Sequence, residues 1–165
     1  MRESPLIRAS ILLAAALAIS ATTPAFAGPP WISIELPANP YNSSTKDAFC
    51  LVRVYHHGDP AYYPVSGTAE GLVNGQRRSI KLTLIDAGMP GVYAVKYEPE
   101  ATGTWALVFR VGDSDDHGTA TMLVALGRDG QILSARVPMR QEGRYQIPDR
   151  VTSEVVDRLL REQAG

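Results

Sequence analysis

The sequence predicts an all-β fold, an antiparallel β-sandwich of seven to eight strands followed by a short C-terminal helix. Three observations carry this. Eight short runs alternate apolar and polar residues with a period of two, and their starts lie mostly about 10–15 residues apart. Gly, Pro, Asn or Asp fills the gaps between them, and no helical pattern intervenes, which argues against an α/β sheet. Only the last segment, DRVTSEVVDRLLREQ, changes to a helical period.

Residues 1–27 precede the fold. MRESPLIRAS carries Arg2 and Arg8, ILLAAALAI is a short apolar stretch, and ATTPAFA ends in the small-x-small pattern Ala25-Phe26-Ala27. This order of charge, apolar run and small residues reads as a secretory signal peptide cut after Ala27. The apolar run falls short of the roughly 20 residues a spanning helix needs. No cysteine follows the cut to carry a lipid, and no twin-arginine pair precedes the apolar run. The expected location is periplasmic or secreted, with no membrane insertion once the signal is removed.

The remainder, 28–165, is long enough to bury a core without covalent staples. With 45% hydrophobic and 20% charged residues the chain has ordinary globular composition. A formal net charge of −1 gives no concentrated basic face, so nucleic acid is not the expected partner. Arg77, Arg78 and Lys81 form a cluster too small to change that, and strand alternation divides Arg77 from Arg78.

The strands follow in order. WISIEL places Ile32, Ile34 and Leu36 on one face. DAFCLVRVYHH puts Cys50, Val52, Val54 and His56 in one phase, and Leu51, Arg53, Tyr55 and His57 in the other. VSGTAEGLV and RRSIKLTLI flank Asn74-Gly75, a strong hairpin signal. The second of these alternates Ile80, Leu82 and Leu84 with Lys81 and Thr83. GVYAVKYEP aligns Tyr93, Val95 and Tyr97, and TWALVFRV aligns Trp105, Leu107, Phe109 and Val111. GTATMLVAL aligns Ala120, Met122, Val124 and Leu126, and Arg128-Asp129-Gly130 turns the chain into QILSARV. Pro37, Pro40, Pro60, Pro64, Pro90 and Pro99 fall between strands, where a missing donor costs least.

The sandwich is expected over 28–148 and an amphipathic helix over 149–165. The helical stripe is Val151, Val155, Val156, Leu159 and Leu160, with Thr152 or Ser153 as cap. Glu154 with Arg158, and Asp157 with Arg161, have the spacing of i,i+4 ion pairs. A helix this short is marginal alone, so its stripe should dock on the sandwich. Cys50 is the sole cysteine and excludes an internal disulfide. Its phase with Val52 and Val54 predicts a buried, inert thiol.

The segment PGVYAVKYEPEATGTWALVFRV, from Pro90 to Val111, resembles a signature of immunoglobulin-like domains of the early-set and filamin type. In these, Gly-x-Tyr leads a strand, Pro ends it, and Gly-x-aromatic opens the next. It is also similar to exported YtkA-like domains, some of whose relatives are linked to copper handling. The resemblance implies an immunoglobulin-like sandwich, tight turns at Gly91 and Gly103, and Tyr93 and Trp105 anchoring adjacent strands. It covers about two strands closely and implies a fold rather than a function.

Candidate chemistry concentrates in YHHGDPAYY. A metal site, with copper as the ion, would draw on His56, His57 and His117, with Met89, Met122 and Met139 as further soft donors. Strand alternation sends His56 and His57 to opposite faces, unless Gly58 ends the strand early. Without that, the two histidines simply end a strand, and no cofactor is required. GDSDDHGTA begins like a calcium loop but has Val124 where a bidentate carboxylate is needed, so a solvated acidic turn is expected. Catalysis lacks a nucleophile motif. Ser114, Asp116 and His117 are neighbours in sequence, whereas triads draw on distant segments. Glu98 and Glu100 sit at a strand exit. The expectation is a non-catalytic protein. A binding surface is expected at Tyr55, Asp59, Tyr62 and Tyr63, with Tyr41 nearby, because Tyr offers contact area with few rotamers to freeze. It would serve an exported protein or envelope component as partner, or a small ligand or glycan.

Overall fold

The structure is a computed structural model and describes residues 28–36, 41–112 and 118–165. The expected signal peptide over residues 1–27, the expected acidic turn over 113–117 with His117, and residues 37–40 lie outside the described residues. The elements are β1 (Trp31–Glu35), β2 (Cys50–His56), β3 (Asp59–Pro60), β4 (Val65–Val73), β5 (Gln76–Lys81), β6 (Thr83–Asp86), β7 (Val92–Lys96), β8 (Thr104–Val111), β9 (Ala120–Leu126), β10 (Ile132–Arg136), β11 (Met139–Glu142), β12 (Tyr145–Pro148) and one helix, α1 (Ser153–Ala164).

All pairings among these strands are antiparallel. One sheet has the order β1-β2-β7-β6, with β3 on β2; a second has β10-β9-β8-β4-β5; β11 and β12 form a separate ribbon. The two larger sheets enclose one core. The first contributes Ile32, Cys50, Val52, Val54 and Val95. The second contributes Ala69, Trp105, Leu107, Phe109, Val111, Ala120, Met122, Val124 and Leu126. These rows are the apolar phases of the sequence, brought opposite one another. The fold class is therefore an all-β sandwich with a terminal helix.

Two features differ from the reading of the sequence. The run RRSIKLTLI is one alternating stretch, but it breaks at Leu82 into β5 on the second sheet and β6 on the first. Leu82 is buried between the sheets, and its N–H donates to the Gly67 carbonyl at 2.9 Å. A Cβ on Gly67 would stand 2.9 Å from Phe109 Cδ1, so the bare backbone there leaves room for the crossing. Period two continues through the switch, which is why one strand was expected. The other difference is in strand number, because β3, β11 and β12 add to the eight expected. MRQEGRYQIP is almost wholly exposed and shows no alternation to reveal its hairpin.

The helix docks on the second sheet. Val156, Leu159 and Leu160 pack on Ala106, Leu123 and Ala125. β9 is consequently buried on both faces, which explains its continuous apolar run. Polar contacts fix the helix at both ends. Thr121 Oγ1 donates to the Asp149 carbonyl at 3.0 Å and accepts from Val151 N–H at 2.7 Å, and Gln163 Nε2 donates to the Leu126 carbonyl at 3.1 Å. Thr152 is the N-cap residue. Neither expected i,i+4 pair appears among the ion pairs of the described residues. Asp157 instead meets Arg77 of β5, and the Glu154 carboxylate turns back to the Thr152 hydroxyl. No helix among the described residues is long and apolar enough to cross a membrane.

Candidate functional site

The site forms where β2 runs out. His56 is the last residue of that strand and pairs in register with Asp59 of β3. Only His57 and Gly58 lie between, with φ of 53° and 92°. Positive φ at both central residues of a two-residue loop is the geometry of a type I′ hairpin, whose twist matches that of the flanking strands. Gly takes such a φ freely, and His is among the few other residues enriched there. Gly91 serves the same corner from the neighbouring turn. Its φ is 66°, and a Cβ would stand 2.5 Å from the Val54 carbonyl oxygen and 2.7 Å from that of Ala61.

This turn realises the exception that the sequence left open, a strand ended early beside Gly58. Strand phase sends the two imidazoles to opposite faces, but His57 is in the turn and not on the strand. Its ring swings back, and the centroids of His56 and His57 lie 4.2 Å apart with planes tilted by 54°. The Tyr63 ring stands edge-on to His56 at 5.8 Å. His56 itself holds the core-side row. Its Nε2 lies 3.0 Å from the Gly28 carbonyl oxygen. A carbonyl only accepts, so Nε2 carries the imidazole proton. Tyr63 is held from behind, where Tyr93 Oη donates to its carbonyl at 2.7 Å. Burial, then the charges of Asp86 and Tyr62, push the Tyr93 phenol above its ordinary range.

A second row of rings lies on the outer face. Trp31 of β1 is the register partner of Tyr55, which in turn is opposite Pro60. Trp31 is 44% exposed and Tyr62 66%, so this end of the sandwich presents aromatic area to solvent. One row further in, the Arg53 guanidinium bonds the Glu35 carboxylate, which raises the already high pKa of the arginine. Sequence reasoning missed Trp31 and Gly28. Trp31 was legible, because it shares the phase of Ser33 and Glu35, the polar face of its strand. The contact of Gly28 with His56 spans 28 positions and leaves no local signal.

Tyr55, Asp59, Tyr62 and Tyr63 thus all belong to one end of the first sheet, together with His56 and His57. The thioethers do not join them. Met122 is in the core, Met89 packs on the outer cluster of Leu51, Ala87, Val92 and Ala94, and Met139 begins the β11–β12 ribbon. Among the described residues, no three His, Cys, Asp or Glu side chains gather closely enough to hold a metal ion. Cys50 is fully buried, and desolvation pushes its thiol up to about 12. Set against protein-family models, curated proteins and solved structures, the chain matches none.

Proposed function

We infer that the chain is an exported, non-catalytic interaction module, an immunoglobulin-like sandwich that meets another exported protein or envelope component through the hairpin end of its first sheet. The observation that carries this is the pair of exposed rings, Trp31 and Tyr62, with half-buried Tyr55 opposite Trp31, beside a two-residue turn that leaves the backbone little freedom. Rigid rings with few rotamers make contact area whose ordering costs little on association. The strand order supports the immunoglobulin-like reading. β1-β2-β7-β6 is in keeping with an ABED sheet and β9-β8-β4-β5 with a GFC sheet that carries β5 as C′, while β10 adds a further edge strand beyond β9. The leader-like residues 1–27 support export. The buried, hard-to-ionise thiol of Cys50 supports a non-catalytic role, since the thiolate is the nucleophile.

The test is site-directed photocrosslinking in the producing cell. A photoreactive residue at Tyr62 should give one discrete adduct, and the same residue at Leu133, equally exposed on β10, should not. The same adduct pattern from both positions, or none from Tyr62, would remove the reading.

A further inference from the structure

The geometry points to a metal site completed by the amino terminus that removal of the leader would create. Its donors are the Gly28 α-amine, the Gly28 carbonyl oxygen, His56 Nε2 and the His57 imidazole, and its ion is a late first-row divalent cation. The site rests on the export reading above, and specifically on the cut after Ala27. Hydrolysis of the Ala27–Gly28 bond gives Ala27 the new carboxylate and Gly28 the amine. Before the cut that nitrogen is a planar amide with no basic lone pair; afterwards it is a strong donor.

The distances suit one ion. Two ligands at about 2.0–2.1 Å from a metal and at right angles stand roughly 2.9 Å apart. The His56 Nε2 to Gly28 oxygen separation is 3.0 Å. The amine and carbonyl of one residue close a five-membered chelate ring, so the amine can join the same ion. Two imidazoles in cis positions place their centroids about 4.5 Å apart, by the same metal–nitrogen length. Those of His56 and His57 are 4.2 Å apart and tilted rather than stacked. Coordination at His56 Nε2 moves the imidazole proton to Nδ1, and the ion takes the place of the present hydrogen bond. Pro29 has no amide N–H to ionise, so the backbone cannot supply the next donor, and the imidazoles must. Pro30 is buried, which holds Gly28 beside the hairpin. Three nitrogens and one oxygen suit Cu(II) or Ni(II) better than Mg(II) or Ca(II). Because two donors come from the main chain, a grouping of acidic, histidine and cysteine side chains does not reveal the site.

The probe is Cu(II), added to the processed protein that begins at Gly28 and followed by titration and electron paramagnetic resonance. The expected result is one equivalent bound, with hyperfine structure from imidazole nitrogen. His57→Gln, or retention of Ala27 ahead of Gly28, should each weaken binding by about tenfold or more. Melting curves of the metal-free variants establish that each is folded, and Leu133→Ala, on β10 of the second sheet, should leave copper affinity unchanged. Equal affinity with Ala27 retained, a spectrum without imidazole nitrogen, or several equivalents indifferent to every change would overturn the proposal. None of these outcomes alters the crosslinking result at Tyr62, so the two readings fail separately.

Discussion

Arg77 on β5 ties the helix to the sheet edge. Its Nε lies 2.8 Å from Asp157 Oδ1, and its NH2 nitrogen donates to Glu70 Oε2 of β4 at 3.1 Å. One guanidinium thus links two strands of the second sheet to α1. Both partners of the helix contact are about one-third exposed, so screening keeps the ion pair modest. Asp157→Asn should cost no more than about 1 kcal/mol by denaturant melts, with the loss shrinking as salt is raised.

The apolar contact outweighs that pair. Leu160 is buried against the strip of Ala106, Leu123 and Ala125. Leu160→Ala should cost about 2–5 kcal/mol, several times the effect of Asp157→Asn. A chain ending at Pro148 should melt at a lower temperature still; an unchanged melting temperature would mean that α1 contributes nothing to the sandwich.

The hairpin turn can be tested through its dihedral angle. His57 sits at φ 53°, where a β-branched residue is strongly disfavoured. His57→Val should lose about 1–2 kcal/mol, and His57→Asn should be close to neutral, because Asn adopts this conformation readily. Equal melting temperatures for the two variants would exclude the left-handed turn.

Gly71 is a test of core fit. A Cβ there would stand 2.6 Å from Trp105 Cε3, and the indole is fixed by Nε1–H donating to the Thr102 carbonyl at 2.8 Å. Gly71→Ala should therefore destabilise by about 1–3 kcal/mol, although alanine normally favours the folded chain over glycine. A fluorescence shift of Trp105 should accompany the loss.

Cys50 predicts a pH dependence. Burial raises its thiol from 9.0 to about 12. Above pH 9 the unfolded chain releases this proton while the folded chain keeps it, so the folded state binds more protons and stability falls as pH rises. Melting temperature should decline from pH 9 upward, and less steeply in Cys50→Ala. In the native protein the thiol should be inert to a disulfide reagent and become reactive only on unfolding.

Much of the fold was legible because burial imposes a period. Ile32, Val52, Val54, Leu107, Phe109, Met122 and Val124 all lie on the core rows that their phase predicts. The Asn74-Gly75 turn was legible because its chemistry is local, and both residues take positive φ. What stayed hidden depends on pairing. The switch at Leu82 does not interrupt the alternation, and the β11–β12 ribbon has no buried face to pattern it. The helix stripe was visible, but not that Asp157 would prefer Arg77 to Arg161. At the candidate site the residue types were visible and their grouping was not. The return of the His57 ring depends on the sign of one backbone angle, and the approach of Gly28 depends on where the chain enters β1.

The burial of β9 on both faces makes the sandwich depend on a segment outside its two sheets. The core between the sheets is closed by strands alone, whereas Ala106, Leu123 and Ala125 are covered by α1 and face water whenever the helix undocks. Undocking therefore bares an apolar strip without opening the core. Such a strip is a point of adhesion between molecules. The helix thus acts as a seal, and its local release is a low-cost opening that turns a closed sandwich into a sticky one.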